Sequence, residues 1–474
     1  MNKNQRGKYL LKNTIIFAIG NFATKFISFF LVPLYTNVLS TAEYGTVDLI
    51  FTISSVLVPV FTFNVAEAIL RFALDEDADN SKIMSVAILA CILIIIFGGV
   101  MFPILNRVDS LKTYSLYFYG YLVTFAISQI LLTALRGKKM LLKYSIGNII
   151  YTISVAIMNI VFLVIYKLGI NGYLIAYIIS NIISAIYAFV LGNIGRDLRH
   201  FTIDVSLMIK MFKYSVFLIP TSFMWWIINS SDRVMITNIL GTSANGIYAI
   251  SYKIPTLIST ITTIFTQAWM YSAINEKDSV DNEEYTNNIY SILFAGVIIV
   301  ASGLLMIIKP FLKVYVSEEY FIAWKYTPFL MLGFAFLTLS TFISTSYNVH
   351  KDSKGFLFSG MTGAIINIIL NYILIPFWGI NGASIATCIS YISVFIYRWI
   401  DTQKYVNIKI NKIQILAIIL LTIIAFTVYI TGYIGQILLI IEFCIVLVLF
   451  KNVWMTLLNN LIIILKKKIT KEKT

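Results

Sequence analysis

"GINGYLIAYIIS" at Gly169–Ser180 and "GINGASIATCIS" at Gly379–Ser390 are one phrase written twice, 210 residues apart. Aligned without a gap, the two stretches share Gly, Ile, Asn, Gly, then Ile and Ala, then a final Ile and Ser. A second pair supports the duplication. "TNVLSTAEYGTVDLI" from Thr36 matches "TNILGTSANGIYAI" from Thr237, with Asn37 to Gly45 and Asn238 to Gly246 spaced alike. In the first phrase Asn-Gly is expected to supply a tight turn, after which Gly172, Ala176, Ser180 and Ser184 fall at four-residue spacing on one helix face. Gly382, Ala386 and Ser390 repeat that ridge. Small residues in a row let helix backbones approach closely, so the ridge reads as a packing surface.

The solvent for these helices is lipid. Of the 474 residues, 59% are hydrophobic and only 12% charged, whereas a soluble domain is roughly 25% charged. Mean hydropathy is +0.85. Apolar runs of about 20 residues, enough for a helix to cross a hydrocarbon core of about 30 Å, recur from end to end. Fourteen are predicted, at 13–37, 44–66, 82–103, 113–135, 144–166, 172–193, 213–237, 244–272, 289–308, 326–347, 356–377, 381–400, 413–431 and 434–464. The first follows Lys3, Arg6, Lys8 and Lys12 as a signal peptide would. It is too long for one, carries Asn21 and Lys25, and lacks a small-residue cleavage site, so it reads as a retained helix. Cys91, Cys388 and Cys444 lie in apolar spans without C-x-x-C spacing, which suggests neither a disulfide framework nor a zinc site. His200 and His350 sit in short basic loops, and no second ligand cluster accompanies them. No cofactor is implied.

A net charge of +14 raises the question of a nucleic-acid partner, and the distribution of the cations answers it. With loops assigned alternately to the two sides, 27 of the 36 Lys and Arg fall on the inner side and 6 outside, the other three being Lys25, Arg233 and Lys253 within helices. Such a bias reports orientation in a membrane and puts both termini in the cytoplasm. No nucleic-acid partner is expected.

The repeat then sets the architecture. Each copy holds six spans, an even number, so both enter the membrane from the same side. The expected fold is an all-α integral membrane protein with two parallel six-helix lobes around a central cavity, 1–200 and 201–412. Two further helices and a basic cytoplasmic tail follow at 413–474. Two parallel lobes with a midplane site between them are a transporter's layout. No loop exceeds about 20 residues, so neither face has room for a folded catalytic domain. The chain has no phosphate loop of the G-x-x-x-x-G-K-[ST] kind and no Ser/His/Asp set.

Charges inside the membrane are the candidate functional groups, because each costs about 2.5–3.5 kcal/mol at mid-bilayer unless it meets a partner or water. Lys25 lies midway along the first span, with Asn21 four residues before it and Ser28 three after it on one face. That stripe is expected to face the central cavity. In "NSSDRVMI", Asp232 and Arg233 occupy the outer third of the seventh span, and Lys253 stands at matching depth on the eighth. Adjacent residues point apart, so Asp232 and Arg233 cannot serve one narrow partner. An Asp232–Lys253 or Asp232–Arg233–Lys253 cluster reads either as a structural ion pair or as a net-positive receiver for an anion. In "AEAILRFAL", Glu67 precedes Arg71 by four residues, the favourable order for a pair, and suggests a clasp at the cytoplasmic mouth. Glu442 has no evident partner. A cation-lined cavity favours an anion, and phosphate oxygens bind lysine and arginine readily. Trp225, Trp226, Tyr248, Tyr252 and Trp269 crowd the seventh and eighth spans and could offer flat faces to sugar rings, although interface anchoring and packing account for most such residues.

Four stretches together carry a family resemblance: "NTIIFAIGNFATKFISFFLVPLYTNVLSTAEYGTVDLI" from Asn13, "AILRFALDED" from Ala68, "SSDRVMITNILGTSANGIYAI" from Ser230, and the "GINGASIA" turn. Across its whole length the chain resembles the Wzx-type polysaccharide (O-antigen or teichuronic acid) flippases of the multidrug/oligosaccharidyl-lipid/polysaccharide (MOP) exporter superfamily. The resemblance implies a multi-pass protein of a bacterial cytoplasmic membrane that moves an undecaprenyl-diphosphate-linked oligosaccharide between leaflets by alternating access. Its cationic cavity would hold the diphosphate and sugar while the lipid tail stays in the bilayer. It also implies possible partners among other polysaccharide assembly proteins. By position, Lys25 stands where such proteins have basic residues in the first helix, and Arg71, Arg233 and Lys253 occupy comparable basic places. Relatives commonly have twelve helices, and the two extra spans resemble a longer branch that includes lipid II and teichuronic-acid flippases. Coupling to a proton, a sodium ion or the membrane potential stays open. So do two rivals. A drug or metabolite antiporter of the same fold would favour a buried carboxylate in the first lobe, where Asp48 is the one candidate. A polymerase or ligase would bring a large outer loop, and none is present.

Overall fold

The computed structural model describes residues 24–75 and 77–456. Among them secondary structure is entirely helical, and ten helical segments are long and apolar enough to cross a membrane. The Ser353–Asp401 helix is in fact two helices meeting at Gly379 (φ +57°). The run read as 244–272 is divided as well: Thr242–Lys253 and Pro255–Asn275 meet at Ile254, where Pro255 has no N–H to continue the ladder. Lys412–Thr427 is shorter, at 16 residues.

Polar caps start the helices where the sequence places them. Ser40 and Glu43 form a reciprocal capping box at Thr41–Phe61, as Asn411 and Gln414 do at Lys412–Thr427. Asp79, Asp204 and Asp352 accept backbone N–H groups at three further starts. Asp352 also accepts from Tyr405 Oη (2.9 Å). With the Gly355 N–H as the leading cause, these bonds hold its carboxyl down at about 2.

In the duplicated phrase the tight turn comes from the first glycine, not from Asn-Gly. Gly169 and Gly379 both sit at φ +57°, a region costly for residues with a Cβ, and each helix is already under way at the Asn-Gly pair. The second glycine has a different duty. A Cβ on Gly172 would lie 3.0 Å from Phe162 Cβ, and one on Gly382 would lie 2.2 Å from the Leu374 carbonyl oxygen. Each copy therefore uses one glycine to turn and another to close the hairpin. Behind them Ala176, Ser180, Ser184, Ala386 and Ser390 are all buried, as a packing ridge requires.

The chain packs as two compact units. The first comprises Met1–Ile250, Tyr315–Phe321 and Asn367–Ala383, and the second Ser251–Val314, Ile322–Ile366 and Ser384–Thr474. Within the first, Ala68, Ile69, Ile83, Ala87, Ile130 and Met211 share one apolar core. A second group there is rich in tyrosine. Tyr35, Tyr121 and Tyr173 are buried, and Phe51 stacks among Tyr121, Tyr173 and Tyr177 at centroid distances of 4.5–6.2 Å. In the second unit Trp269 stacks on Phe342 (5.0 Å) and donates to Thr345 Oγ1 (3.0 Å), so its indole serves packing. Glu442 acquires a partner in that unit: Thr427 Oγ1 donates to its Oε1 at 2.8 Å.

Candidate functional site

Within the first unit, residues of the two sequence copies meet along a polar seam. One end of it is a backbone contact. A Cβ on Gly45 would lie 1.8 Å from the Thr242 carbonyl oxygen, and one on Gly246 would lie 2.0 Å from that of Thr41. Thr41 and Thr242, like Gly45 and Gly246, are equivalent positions of the repeat, so the two helix starts pack about a local two-fold axis with the same patch on each side. Only glycine admits this approach. Beside it, Thr41 Oγ1 and Ser243 Oγ are 2.7 Å apart, and Asn245 Nδ2 donates to the Gly45 carbonyl at 2.8 Å.

The seam continues along the Thr41–Phe61 and Ile219–Leu240 helices, which run past each other. Arg233 Nη1 lies 3.2 Å from Asp48 Oδ1, both side chains being mostly buried, and Asn245 Nδ2 reaches Asp48 Oδ2 at 3.4 Å. Trp226 Nε1 donates to the Thr52 carbonyl at 2.8 Å, and Asn64 Nδ2 to Ser222 Oγ at 3.4 Å. Tyr320 Oη bonds to the carbonyls of Leu39 (3.0 Å) and Ser40 (2.8 Å) close to the glycine contact. Every contact pairs a residue before position 65 with one after position 216. Holding or parting the seam is therefore a question about how the two copies stand to each other.

Asp232 points away from its neighbour, as the helix spacing predicts. It is fully buried, accepts from Tyr248 Oη, and takes the Arg233 backbone N–H at 2.9 Å. Adjacent Ser231 donates to Asn367 Oδ1 (3.3 Å), which also takes Asn371 Nδ2 (2.9 Å), and both asparagines are fully buried. Two adjacent residues thus carry separate buried polar contacts, the Asp232 carboxylate with Tyr248 and Ser231 with the asparagines, in surroundings that make an unpaired polar group costly.

Of the remaining predicted residues, those described are on other helices. Lys25 is exposed on the helix through 24–30, and Ser28 Oγ on the same face bonds to the Thr24 carbonyl (2.8 Å). Asn21 lies outside the described residues. Lys253 ends the Thr242–Lys253 helix, half-buried, in the second unit. Arg71 is exposed and pairs with Asp75, not with Glu67. The Val65–Phe72 helix stops one residue past Arg71, and the turn that follows brings Asp75 to the helix end, where a cation also meets free carbonyls. The Asp75 hydrogen bond holds the Arg71 guanidinium above its ordinary pKa.

Three features escape a reading of the sequence. Asp48 is a partner of Arg233, Tyr248 a partner of Asp232, and Arg398 is a buried cation. Arg398 is 1% exposed in the second unit, where Nε donates to Ser359 Oγ (3.0 Å) and Nη1 to the Ser340 carbonyl (3.1 Å). The seam did leave a signal, since its glycines are landmarks of the repeat. Among the described residues no three His, Cys, Asp or Glu side chains gather as a metal cluster.

Comparison with known proteins agrees with this architecture. Residues 10–274 match the family model described as "Polysaccharide biosynthesis protein". An uncharacterised membrane protein of Methanocaldococcus jannaschii is 23% identical over 406 residues, covering 82% of this chain and 96% of the relative. Among solved structures, the lipid II flippase MurJ in an inward closed conformation superposes with a TM-score of 0.69 at 15% identity, over 95% of this chain and 100% of that one. An inward-facing multidrug resistance MATE family transporter of the MOP superfamily gives 0.57 at 14% identity, over 82% and 94%. The fold is thus that of an all-α, multi-pass membrane protein, shared with these two structures. With more than half its length matched by the family model, the chain belongs to the polysaccharide biosynthesis protein family.

Proposed function

We propose that this protein is a flippase for a lipid-linked glycan. It would carry an undecaprenyl-diphosphate-linked oligosaccharide from the inner to the outer leaflet of a bacterial cytoplasmic membrane, with both termini in the cytoplasm, for a surface polymer such as lipopolysaccharide O-antigen or a cell-wall glycan. The observation that carries the proposal is the union of a polysaccharide-biosynthesis family with a fold that matches a lipid II flippase over that protein's whole length. In this reading lobes 1–200 and 201–412 rock against each other around a central cavity, with 413–474 appended.

The chemistry follows from the charges. Lys25 draws the diphosphate from the inner side, aided by Asn21, and Arg71 lies at the inner mouth. The seam acts as the outer gate. While it is closed, Arg233 is neutralised by Asp48. When it parts, Arg233 becomes available, with Lys253, to receive the phosphate oxygens. Only a difference in interaction between the two states can drive such a change. The bias would come from a proton or sodium ion at buried Asp232, or from the membrane potential. The lipid bilayer and other polysaccharide assembly proteins are the remaining partners.

The drug-antiporter reading needs a free carboxylate in the first lobe, and the tie of Asp48 to Arg233 and Asn245 speaks against it. The polymerase or ligase reading lacks a catalytic outer loop. In cells, Lys25→Ala is expected to abolish export of the surface glycan while the protein stays in the membrane. Normal surface polysaccharide in that variant would remove Lys25 from the mechanism.

A further inference from the structure

Inside the first unit, the tyrosine-rich group around Phe51 includes polar atoms that have no partner among the described residues. Asn159 closes the Leu141–Asn159 helix where it widens into a π turn, Ile160–Ile165, a local form frequent at functional sites. Its side chain is fully buried. Nδ2 donates to the Val155 carbonyl (2.8 Å) and to Tyr35 Oη (3.4 Å), whereas Oδ1 has no hydrogen-bond partner. Turning the amide over would not help, because Oδ1 would then face the Val155 carbonyl. Tyr35 also bonds to Tyr177, which takes the Tyr173 hydroxyl at 3.2 Å. One turn beyond Tyr177, on the same helix face, Asn181 is buried with Nδ2 unpaired, and three residues later the buried Ser184 hydroxyl is unpaired too.

We propose that this group binds ordered water, with at least one molecule on Asn159 Oδ1. Buried amide and hydroxyl groups are costly to leave unpaired, and lipid offers them nothing, so protein interiors match them with protein groups or with held water. Asn159 Oδ1 needs a donor and Asn181 Nδ2 needs an acceptor. Water supplies both, is uncharged, and makes about three hydrogen bonds in such places. A cation fits less well. It needs a shell of oxygens and, in an apolar interior, a carboxylate to offset its charge, whereas Asn181 presents a donor and none of these side chains is an acid. The water ties the Val32–Val38 helix, through Tyr35, to the helix that carries Asn159. The proposal does not depend on the transport reading.

The test is X-ray radiolysis of the full-length protein in nanodiscs, where hydroxyl radicals formed from held water oxidise the side chains beside it and mass spectrometry locates the products. Tyr35 and Tyr173 are expected to react at least tenfold faster than Phe118, which is likewise buried. After a pulse of oxygen-18 water, their label should lag behind that of exposed Tyr433, because a held water exchanges slowly. Asn159→Leu should bring both tyrosines down to the Phe118 rate, and the wild-type comparison decides if that variant fails to fold. The proposal is overturned if Tyr35 and Tyr173 react no faster than Phe118, if their label keeps pace with Tyr433, or if folded Asn159→Leu keeps the wild-type rates. It is also overturned if the rates change when sodium is replaced by choline, which would make the occupant a cation.

Discussion

The seam is most sharply tested at Gly45. Gly45→Ala adds one methyl group whose carbon would sit 1.8 Å from the Thr242 carbonyl oxygen, with the Gly246 nitrogen at 2.7 Å. Ordinary carbon–oxygen contacts begin at about 3.3 Å, so the two helix starts must separate by roughly 1.5 Å. Both obstructing atoms are backbone, which cannot rotate aside as a side chain would. Overpacking of this kind costs about 1–3 kcal/mol, and the upper end applies here. At about 1.4 kcal/mol per decade, that lowers the closed seam roughly hundredfold against open arrangements. The readout is a disulfide between Thr41→Cys and Ser243→Cys, whose native hydroxyls are 2.7 Å apart. Oxidised in membranes, this pair should cross-link rapidly on the native background and at least tenfold more slowly with Gly45→Ala. Gly99→Ala is the control, because a Cβ there meets nothing within 4 Å. An unchanged cross-linking rate in Gly45→Ala, at normal membrane abundance, would refute the argument.

Further outcomes follow from the same geometry. A double-mutant cycle on Asp48→Ala and Arg233→Ala, read by thermal unfolding in detergent, should give a coupling of about 1–2 kcal/mol, less than for a wholly buried pair because both side chains keep some solvent contact. Arg398→Met should lower stability by about 2–4 kcal/mol through loss of two buried hydrogen bonds with charged character, and Arg398→Lys should recover only part of it. The Asp352 carboxyl is held at about 2, below its unfolded value of about 3.9. Its contribution is therefore complete above pH 4 and lost as pH falls through about 2. Amide exchange in the turns at 350–353 and 402–405, which Asp352 ties together, should follow that curve, and Asp352→Asn should remove the step.

The fold was legible wherever a local pattern encodes it. Apolar runs gave the helices, the duplicated phrase gave paired hairpins, and small residues at four-residue spacing gave a ridge that is in fact buried. Patterns of this kind report how a segment meets its surroundings, not which segment it meets. The adjacency of Asp232 and Arg233 told that they diverge. It could not supply Asp48, 185 residues from Arg233, or the Tyr248 hydroxyl. Glu67 and Arg71 stand at the right spacing, yet a helix that ends at Phe72 hands Arg71 to Asp75. Arg398 lies inside the predicted 381–400 span, but only tertiary packing against Ser340 and Ser359 shows that it is buried. The glycine landmarks hid their meaning for a similar reason, because a contact between two copies of a motif is invisible in either copy alone.

The most direct measurement is translocation itself. Purified protein in proteoliposomes would be given an undecaprenyl-diphosphate-linked oligosaccharide in one leaflet, with its arrival in the other read by a membrane-impermeant glycosidase. The account predicts protein-dependent transfer that falls to the protein-free rate in Lys25→Ala and in the cross-linked Thr41→Cys/Ser243→Cys protein, and returns on reduction of the cross-link. Transfer that proceeds unchanged with the seam locked would contradict it.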